Sequence, residues 1–373
     1  MGRWRTAEFF AGSGLVTEGL LAHSEVVWAN DISSSKAAIY QKNHPDEHFC
    51  IEDICSIAGG DIPEHDFSWA SFPCQDLSLA GRMGGIEASR SGMFWEWLRV
   101  LDEISIKPKA VCLENVVGLV STAGGDHYRA LHRALAKRGY RAGAVMLDAQ
   151  HWLPQSRRRI FVIGVQRDVD ISPFEAHGPL WHHPKAVQKA AIGLDDFVWW
   201  NLPEPSGKPG ALSELIEWEA DCFPKGKSQK ILDLIPARHR DLMHQVSKTR
   251  SIAVFPGYRR TRNGKQVLEL RFDEISGCLR TAEGGSSRQL LVLWKDGRWK
   301  VRLLTPREAA RLMGAPETYE LSRNYNESYT AMGDAVAVPV VKFLAEYLIL
   351  PLMAATKTDH VIGRKTSALC LQP

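Results

Sequence analysis

Pro73-Cys74-Gln75 places a thiol directly after a proline at the end of an apolar, strand-like segment, residues 66–72. The carboxyl edge of an open α/β sheet is where ligands gather, and a proline stiffens the turn just before the sulfur. A cysteine so placed is a candidate nucleophile, provided its surroundings give it some thiolate character. Cys112, inside the apolar run 110–113, reads instead as a small buried hydrophobe. About forty residues beyond Cys74, Glu114-Asn115 closes that run, and Gln155-Ser156-Arg157-Arg158-Arg159 precedes another, 160–164. A carboxyl group can exchange a proton with a ring atom, and arginines can hold developing negative charge. Alternate residues of a strand share a face, so Arg157 and Arg159 are expected to enter one cleft. The plainer reading of the basic triplet is a solvated face.

A second set of residues suits a bound nucleotide-like cofactor. Phe9-Phe10-Ala11-Gly12-Ser13-Gly14 lies between a strand and a helix. Its glycines let the backbone approach a ligand, and the helix start offers free N–H groups. Asp31, after Asn30, stands where an acidic side chain can hold a ribose diol. Asp53, after Ile51-Glu52, could accept from an adenine amino group. Each acid taken singly reads equally well as a loop carboxylate. A nicotinamide enzyme would need a third glycine where Thr17 stands.

The elements that must position these residues alternate. Strands are expected over 4–10, 25–29, 66–72, 110–113, 141–147 and 159–165, and helices over 17–23, 34–43, 94–103 and 127–138. This alternation predicts an α/β fold with a Rossmann-like, mostly parallel doubly wound sheet. After about residue 170 the pattern breaks, and prolines at 173, 179, 184, 203, 205, 209, 224, 236 and 256 punctuate it. Short β pieces at 267–272 and 290–294, with Asp296-Gly297 as a hairpin signal, predict a smaller, irregular, β-rich domain. Helices return at 306–313 and 338–353. The expected division is 1–175 with 326–355 as one domain, 176–325 as the second, and 356–373 as a tail.

Composition agrees with an ordinary globular protein: 373 residues, 45% hydrophobic and 24% charged. Seven cysteines, without Cys-x-x-Cys spacing, argue against a disulfide framework or a zinc site and for a reducing cytoplasm. Neither a signal peptide nor a membrane helix is expected. The net charge of +3 conceals a division. Residues 225–311 hold 20 Lys and Arg against 8 Asp and Glu, leaving 26 against 35 elsewhere. That separation suggests a region facing a polyanion, carried on a mildly acidic body, and composition alone fits a solvated basic face equally well.

The ordered blocks closely resemble the cytosine-carbon-5 DNA methyltransferases of bacterial and phage restriction-modification systems, over nearly the whole chain. They are Phe10-Ala11-Gly12-Ser13-Gly14, Asp31, Asp53-Ile54, Pro73-Cys74-Gln75 and Ser89-Arg90-Ser91-Gly92-Met93-Phe94. Glu114-Asn115-Val116, Gln155 to Arg159, Leu304-Thr305-Pro306-Arg307-Glu308-Ala309-Ala310-Arg311 and Met332-Gly333-Asp334-Ala335-Val336 follow in order. The resemblance implies S-adenosylmethionine as cofactor, S-adenosylhomocysteine as product and double-stranded DNA as substrate. A monomer is expected, with a cognate restriction endonuclease as a candidate partner.

Roles carry over by position. The resemblance implies that Phe10, Ala11, Gly12, Ser13, Gly14, Asp31, Ile32, Asp53, Ile54, Pro73, Met93, Asn115, Asp334, Ala335 and Val336 bind cofactor. Cys74 matches the nucleophile, Glu114 the group engaging the cytosine ring nitrogen, and Arg157 and Arg159 the arginines on the target nucleotide. Stretch 75–92 matches the loop that closes over an extruded base, with Gln75, Ser78, Arg82 and Arg90 as DNA contacts. Arg259, Arg260, Arg262, Arg280, Thr281, Gly284, Gly285, Ser286 and Arg288 are candidate DNA contacts of the basic region. No metal is expected.

The last block departs from the family pattern, with Ala331 and Asp334 where Gln and Asn are usual. A carboxylate beside a cofactor pocket should be partly exposed or held by an N–H or a cation, because an isolated buried one is costly. Two rivals remain at this stage, a tRNA cytosine methyltransferase and a catalytically dead DNA-binding relative. The long stretch between Arg159 and Leu304 argues against the first, and the joint presence of Cys74, Glu114, Arg157 and Arg159 against the second.

Overall fold

The computed structural model describes residues 3–45, 47–73, 92–282 and 286–356. Its larger sheet has seven strands: β1 (Trp4–Phe9), β2 (Ser24–Asn30), β3 (Phe49–Cys50), β4 (Phe67–Ala70), β5 (Ala110–Val116), β6 (Tyr140–Asp148) and β7 (Arg158–Gln166). Their order across the sheet is β3-β2-β1-β4-β5-β7-β6. β7 runs antiparallel to both neighbours, while the pairs from β3 to β5 are parallel. β4 and β5 are buried along nearly their whole length, as strands covered on both faces must be. The chain order reverses between β1 and β4, so the loops after those strands part and leave a crevice.

Helix Met93–Glu103 shows how one covering layer forms. It buries Phe94, Trp97, Leu98, Val100 and Leu101, which recur at helical spacing along one face. The smaller sheet has the order β11-β10-β8-β9, from β8 (Ile252–Arg262), β9 (Lys265–Leu270), β10 (Leu290–Lys295) and β11 (Arg298–Leu303). All its pairs are antiparallel. Asp296 and Gly297 join β10 to β11 with φ of 53° and 72°, the left-handed pair a tight hairpin needs.

The eleven-residue β8 was not expected, because Pro256 lies inside it. Its ring is tolerated for a geometric reason. The Pro256 carbonyl faces the β9 side and accepts from Arg271 N, one residue beyond the end of β9. A strand residue's N and C=O share a side, so the missing N–H also falls past the ladder.

Ala253 and Phe255 face a small core with Ile231, Met243, Leu268, Leu290, Val292 and Val301. The intervening Val254, with Leu291 and Leu293, belongs to the main core that also holds Trp69 and Phe161. Residues 176–216 and 304–325, assigned by sequence to the second domain, contribute Val187, Phe197, Trp200, Leu304, Ala310 and Tyr319 to the cores of the large sheet. Among the described residues, one helix, Tyr325–Thr356, is long and apolar enough to cross a membrane, and 67% of its apolar window is buried within the fold.

Behind the loop after β1 lies a buried polar chain. Thr17 Oγ1 donates to Glu8 and lies 3.0 Å from the Tyr40 hydroxyl, which meets His48 Nε2 at 2.8 Å. Burial pushes the Glu8 carboxyl up to about 8, so it folds protonated at neutral pH. The unfolded carboxyl loses its proton near 4.5. Between about pH 4.5 and 8 folding therefore takes up a proton, and stability falls as pH rises, by about 1.4 kcal/mol per unit. Denaturant titrations of Glu8→Gln across that window should lack this slope. An unchanged slope would place the proton elsewhere.

Candidate active site

Five strands deliver their carboxyl ends, and β7 its start, to the edge where a cavity of about 410 Å³ opens. The size suits a small-molecule site. Residues after β3, β2 and β1 line one part of it: Glu52, Asp53 and Ile54; Asp31, Ile32 and Ser33; Phe10 to Ser13. Ser71, Phe72 and Pro73 after β4, with Glu114, Asn115 and Val116 of β5 and Arg159 of β7, line the rest.

The first part fits an adenosine-bearing cofactor. Gly12 has φ +57°, and a Cβ there would meet only Lys36 Cδ, at 3.9 Å, so its backbone is open to a ligand. Asp31 accepts from Gly12 N at 2.9 Å and Ser33 N at 2.8 Å. A carboxylate has about four lone-pair sites, so capacity for a diol remains. Asn30 donates to the Cys50 and Glu52 carbonyls and fixes the loop bearing Asp53. Asp53 itself caps the short turn Ile54–Ser56 through Cys55 N.

Gly14 departs from its expected role. It lies outside the cavity lining, and a Cβ on it would collide with His44 at 2.6 Å and Tyr40 at 2.7 Å. Its glycine is required by close packing of helix Ser34–Asn43 rather than by a ligand. The other cofactor candidates of the sequence all line the cavity.

In the second part, Glu114 and Arg159 are diagonal neighbours on antiparallel strands, since Glu114 pairs with Phe161 and Val116 with Arg159. Arg159 Nε meets Glu114 Oε1 at 3.0 Å. Burial pushes the Glu114 carboxyl up, against the opposing pull of Arg159, Arg157 and Ser71. A carboxyl so held keeps its proton to higher pH than an exposed one and can serve as a donor. Asn115 Nδ2 donates to the Phe72 carbonyl at 2.9 Å, which ties β5 to the segment entering Pro73.

Arg157 corrects the expectation that both arginines enter one cleft. β7 begins at Arg158, so the alternation does not extend back to residue 157. The Arg157 side chain is buried, its Nη1 donating to Leu279 O and its Nη2 to Gly333 O and Ala335 O. With its guanidinium consumed by three carbonyls, it fastens the site rather than lining it.

Cys74, Gln75, Ser78, Arg82, Arg90, Gly284 and Gly285 lie outside the described residues. In the basic region, Arg260 and Arg280 flank the Tyr258 ring at 5.1 and 5.8 Å. Arg262 is held by Glu269 through two hydrogen bonds, 2.6 and 3.0 Å, so its charge is largely matched. Arg288 donates to Asn326. Arg259 and Thr281 are partly exposed and Ser286 exposed, all within the basic stretch 225–311.

Asp334 is 37% exposed and held by Lys36 Nζ at 2.6 Å, as expected for a carboxylate at a pocket rim. Lys36 itself escaped sequence reasoning, as did Ser71 and Glu52. The signal for Lys36 was available: a cation three residues into a helix, where the macrodipole disfavours it.

A sequence profile described as C-5 cytosine-specific DNA methylase matches residues 4–349. The chain belongs to this family. Among curated relatives, it is 28% identical over 348 residues to the type II methyltransferase M.Bsp6I of Bacillus sp. (strain RFL6), covering 91% of this chain and 96% of that one. It is 26% identical to M.HhaI of Haemophilus parahaemolyticus, over 91% and 93% of the two chains. The crystal structure of the S. pombe Dnmt2 methyltransferase superposes with a TM-score of 0.61 at 20% identity, covering 94% of this chain and 99% of that one, and so shares the fold. The chain is thus an enzyme of the class that methylates cytosine in DNA at carbon 5, as found in restriction-modification systems.

Arg157→Ala would leave three buried carbonyls unpaired, at about 1–3 kcal/mol each. Chemical denaturation should show a loss of about 3 kcal/mol or more, whereas a stable but inactive variant would return Arg157 to the substrate.

Proposed function

We propose that the enzyme transfers a methyl group from S-adenosylmethionine to carbon 5 of a cytosine flipped out of a specific double-stranded DNA sequence, through a covalent Cys74 adduct. The observation that carries this reading is the Glu114–Arg159 pair at 3.0 Å, lining one cavity with Pro73 and the cofactor-type loops. Cys74 follows Pro73 directly. S-Adenosylmethionine, when bound, supplies a methyl group on a sulfonium, the electrophile that carbon 5 requires.

The chain's own residues make carbon 5 reactive. The Cys74 thiolate adds to carbon 6, forming the S–C bond and pushing the ring's π electrons toward carbon 5. Glu114, with its raised affinity for a proton, donates to ring N3 and absorbs the displaced charge. The Arg159 guanidinium stands by the carbonyl oxygen and stabilises charge developing there. Once carbon 5 carries the methyl group, its proton passes to water, the C–H electrons re-form the C5–C6 double bond as the C–S bond breaks and the thiolate leaves, and ring N3 returns its proton to Glu114.

A base inside a duplex is out of reach of these groups, so extrusion must cost a few kcal/mol. Phosphate contacts from the basic region offset that cost. Within the stretch 176–325 we assign DNA engagement to the part outside the segments 176–216 and 304–325 that pack on the large sheet, catalysis to 1–175 with 326–355 together with those segments, and action to a monomer in the cytoplasm. A restriction endonuclease of the same specificity is the natural partner for such an enzyme.

Duplex DNA carrying 5-fluorocytosine at the target tests the mechanism, since fluorine cannot leave as a proton does. The wild type should form a stable adduct mapping to Cys74, Cys74→Ser essentially none, and Glu114→Gln should form it about 10²-fold more slowly. An adduct at Cys112, or one formed with tRNA in preference to DNA, overturns the reading.

The pairing of Arg262 with Glu269 also sets an order among the basic residues. Removing Arg260 or Arg280 should each reduce the log–log salt slope of DNA binding by about 0.9, and removing Arg262 by less. Equal effects from all three would show that the Glu269 bridge opens on DNA.

A further inference from the structure

Lys36 and Asp334 are each on the wrong end of a helix. Lys36 is the third residue of Ser34–Asn43, where the positive helix end disfavours a cation, and no acidic residue shares that turn. Asp334 is the last residue of Tyr325–Asp334, where the negative end disfavours an anion, and no basic residue shares that turn. Their mutual contact at 2.6 Å is partly exposed, 21% and 37%, a setting in which ion pairs contribute little to stability. A local conflict that folding does not repay points to a ligand.

Both residues line the cofactor cavity. Sheet order fixes what reaches them. The strands run β3, β2, β1 toward β4 and β5, so their end loops present Asp53, then Asp31, then Gly12, then Pro73 and Glu114. With adenine at the first station and ribose at the second, the amino-acid end of the cofactor arrives over Gly12. Lys36 Cδ lies 3.9 Å from the place a Gly12 Cβ would occupy, above that same station. An ammonium has three donors and a carboxylate about four lone-pair sites, so each member can hold a ligand group as well as its partner.

We propose that Lys36 and Asp334 form a two-point clamp for the zwitterionic amino-acid end of the cofactor, Lys36 taking its carboxylate and Asp334 its ammonium. The clamp rests on the reading of the cavity as the S-adenosylmethionine site. It also accounts for the acid at position 334, which keeps an acceptor for the ammonium while answering the charge of Lys36.

Calorimetric titration with S-adenosylhomocysteine and with 5′-methylthioadenosine, which lacks the amino-acid end, separates the outcomes. Lys36→Met should weaken S-adenosylhomocysteine binding about tenfold or more and leave 5′-methylthioadenosine within about twofold, the scale of one charge-assisted hydrogen bond. The double exchange Lys36→Asp with Asp334→Lys keeps the pair and gives each helix the charge it favours. It should bind S-adenosylhomocysteine as poorly, with a Tm no lower than wild type. Equal weakening toward both ligands, or none toward either, overturns the clamp alone. A wild-type protein that binds neither ligand overturns the cofactor reading and the clamp with it.

Discussion

The buried guanidinium of Arg157 is the constraint on which the assembled site depends. It gathers the carbonyls of Leu279, Gly333 and Ala335, from segments more than a hundred residues away in sequence, onto the start of β7. Burial draws its pKa down to about 10, so it remains charged at neutral pH. Three carbonyl acceptors engage both terminal nitrogens without a counter-charge, while Nε is buried without a partner. The same contacts hold the last cofactor block against the strand edge, and the backbone after β8–β9 against the site. A buried ion pair works in parallel. Glu308 accepts from Arg302, Thr305 N and Glu217 N, joining β11 to the helix Pro306–Leu312.

Between these two fastenings the cavity is divided by charge. On the β3–β2–β1 side stand carboxylates and open backbone, suited to the hydroxyls, amino group and ammonium of an adenosyl amino acid. On the β4–β5–β7 side stands a carboxyl whose proton affinity burial raises, beside a guanidinium at 3.0 Å. Burial raises the Glu114 carboxyl's affinity for a proton while the neighbouring Arg159 and Arg157 lower it, so the pair is balanced between the two effects. The site's reactivity is therefore a product of depth as much as of residue identity.

Much of the fold was legible because the strands of the large sheet are continuous apolar runs closed by a chemistry-bearing residue. β1, β2, β4, β5, β6 and β7 each fall within a few residues of where the pattern places them. β8 was hidden by Pro256, whose tolerance depends on its nitrogen facing the β9 side just past that strand's end. The turn Asn263-Gly264, with φ of 49° and 75°, was as strong a hairpin signal as Asp296-Gly297 and marks the β8–β9 connection. Residues 176–216 were assigned away from the large sheet because prolines obscure periodicity, yet Phe197 and Trp200 pack upon it.

The sequence by itself determined the reaction class, through the ordered blocks it shares with the cytosine-carbon-5 DNA methyltransferases. Periodicity located the strands at whose ends Pro73-Cys74, Glu114 and the arginine triplet stand in the chain, and the resemblance supplied the chemistry expected of them. Only the tertiary structure decided which of those groups face the cavity. Gly14 turned out to serve the packing of His44 and Tyr40, and Arg157 the joining of distant segments, because both depend on neighbours remote in sequence. The same is true of Lys36. Its charge could be read from the chain, but that it meets Asp334 across nearly three hundred residues follows from how two helices pack beside β1. Periodicity reports which face a residue occupies, while partners across a cavity are set by the path of the whole chain.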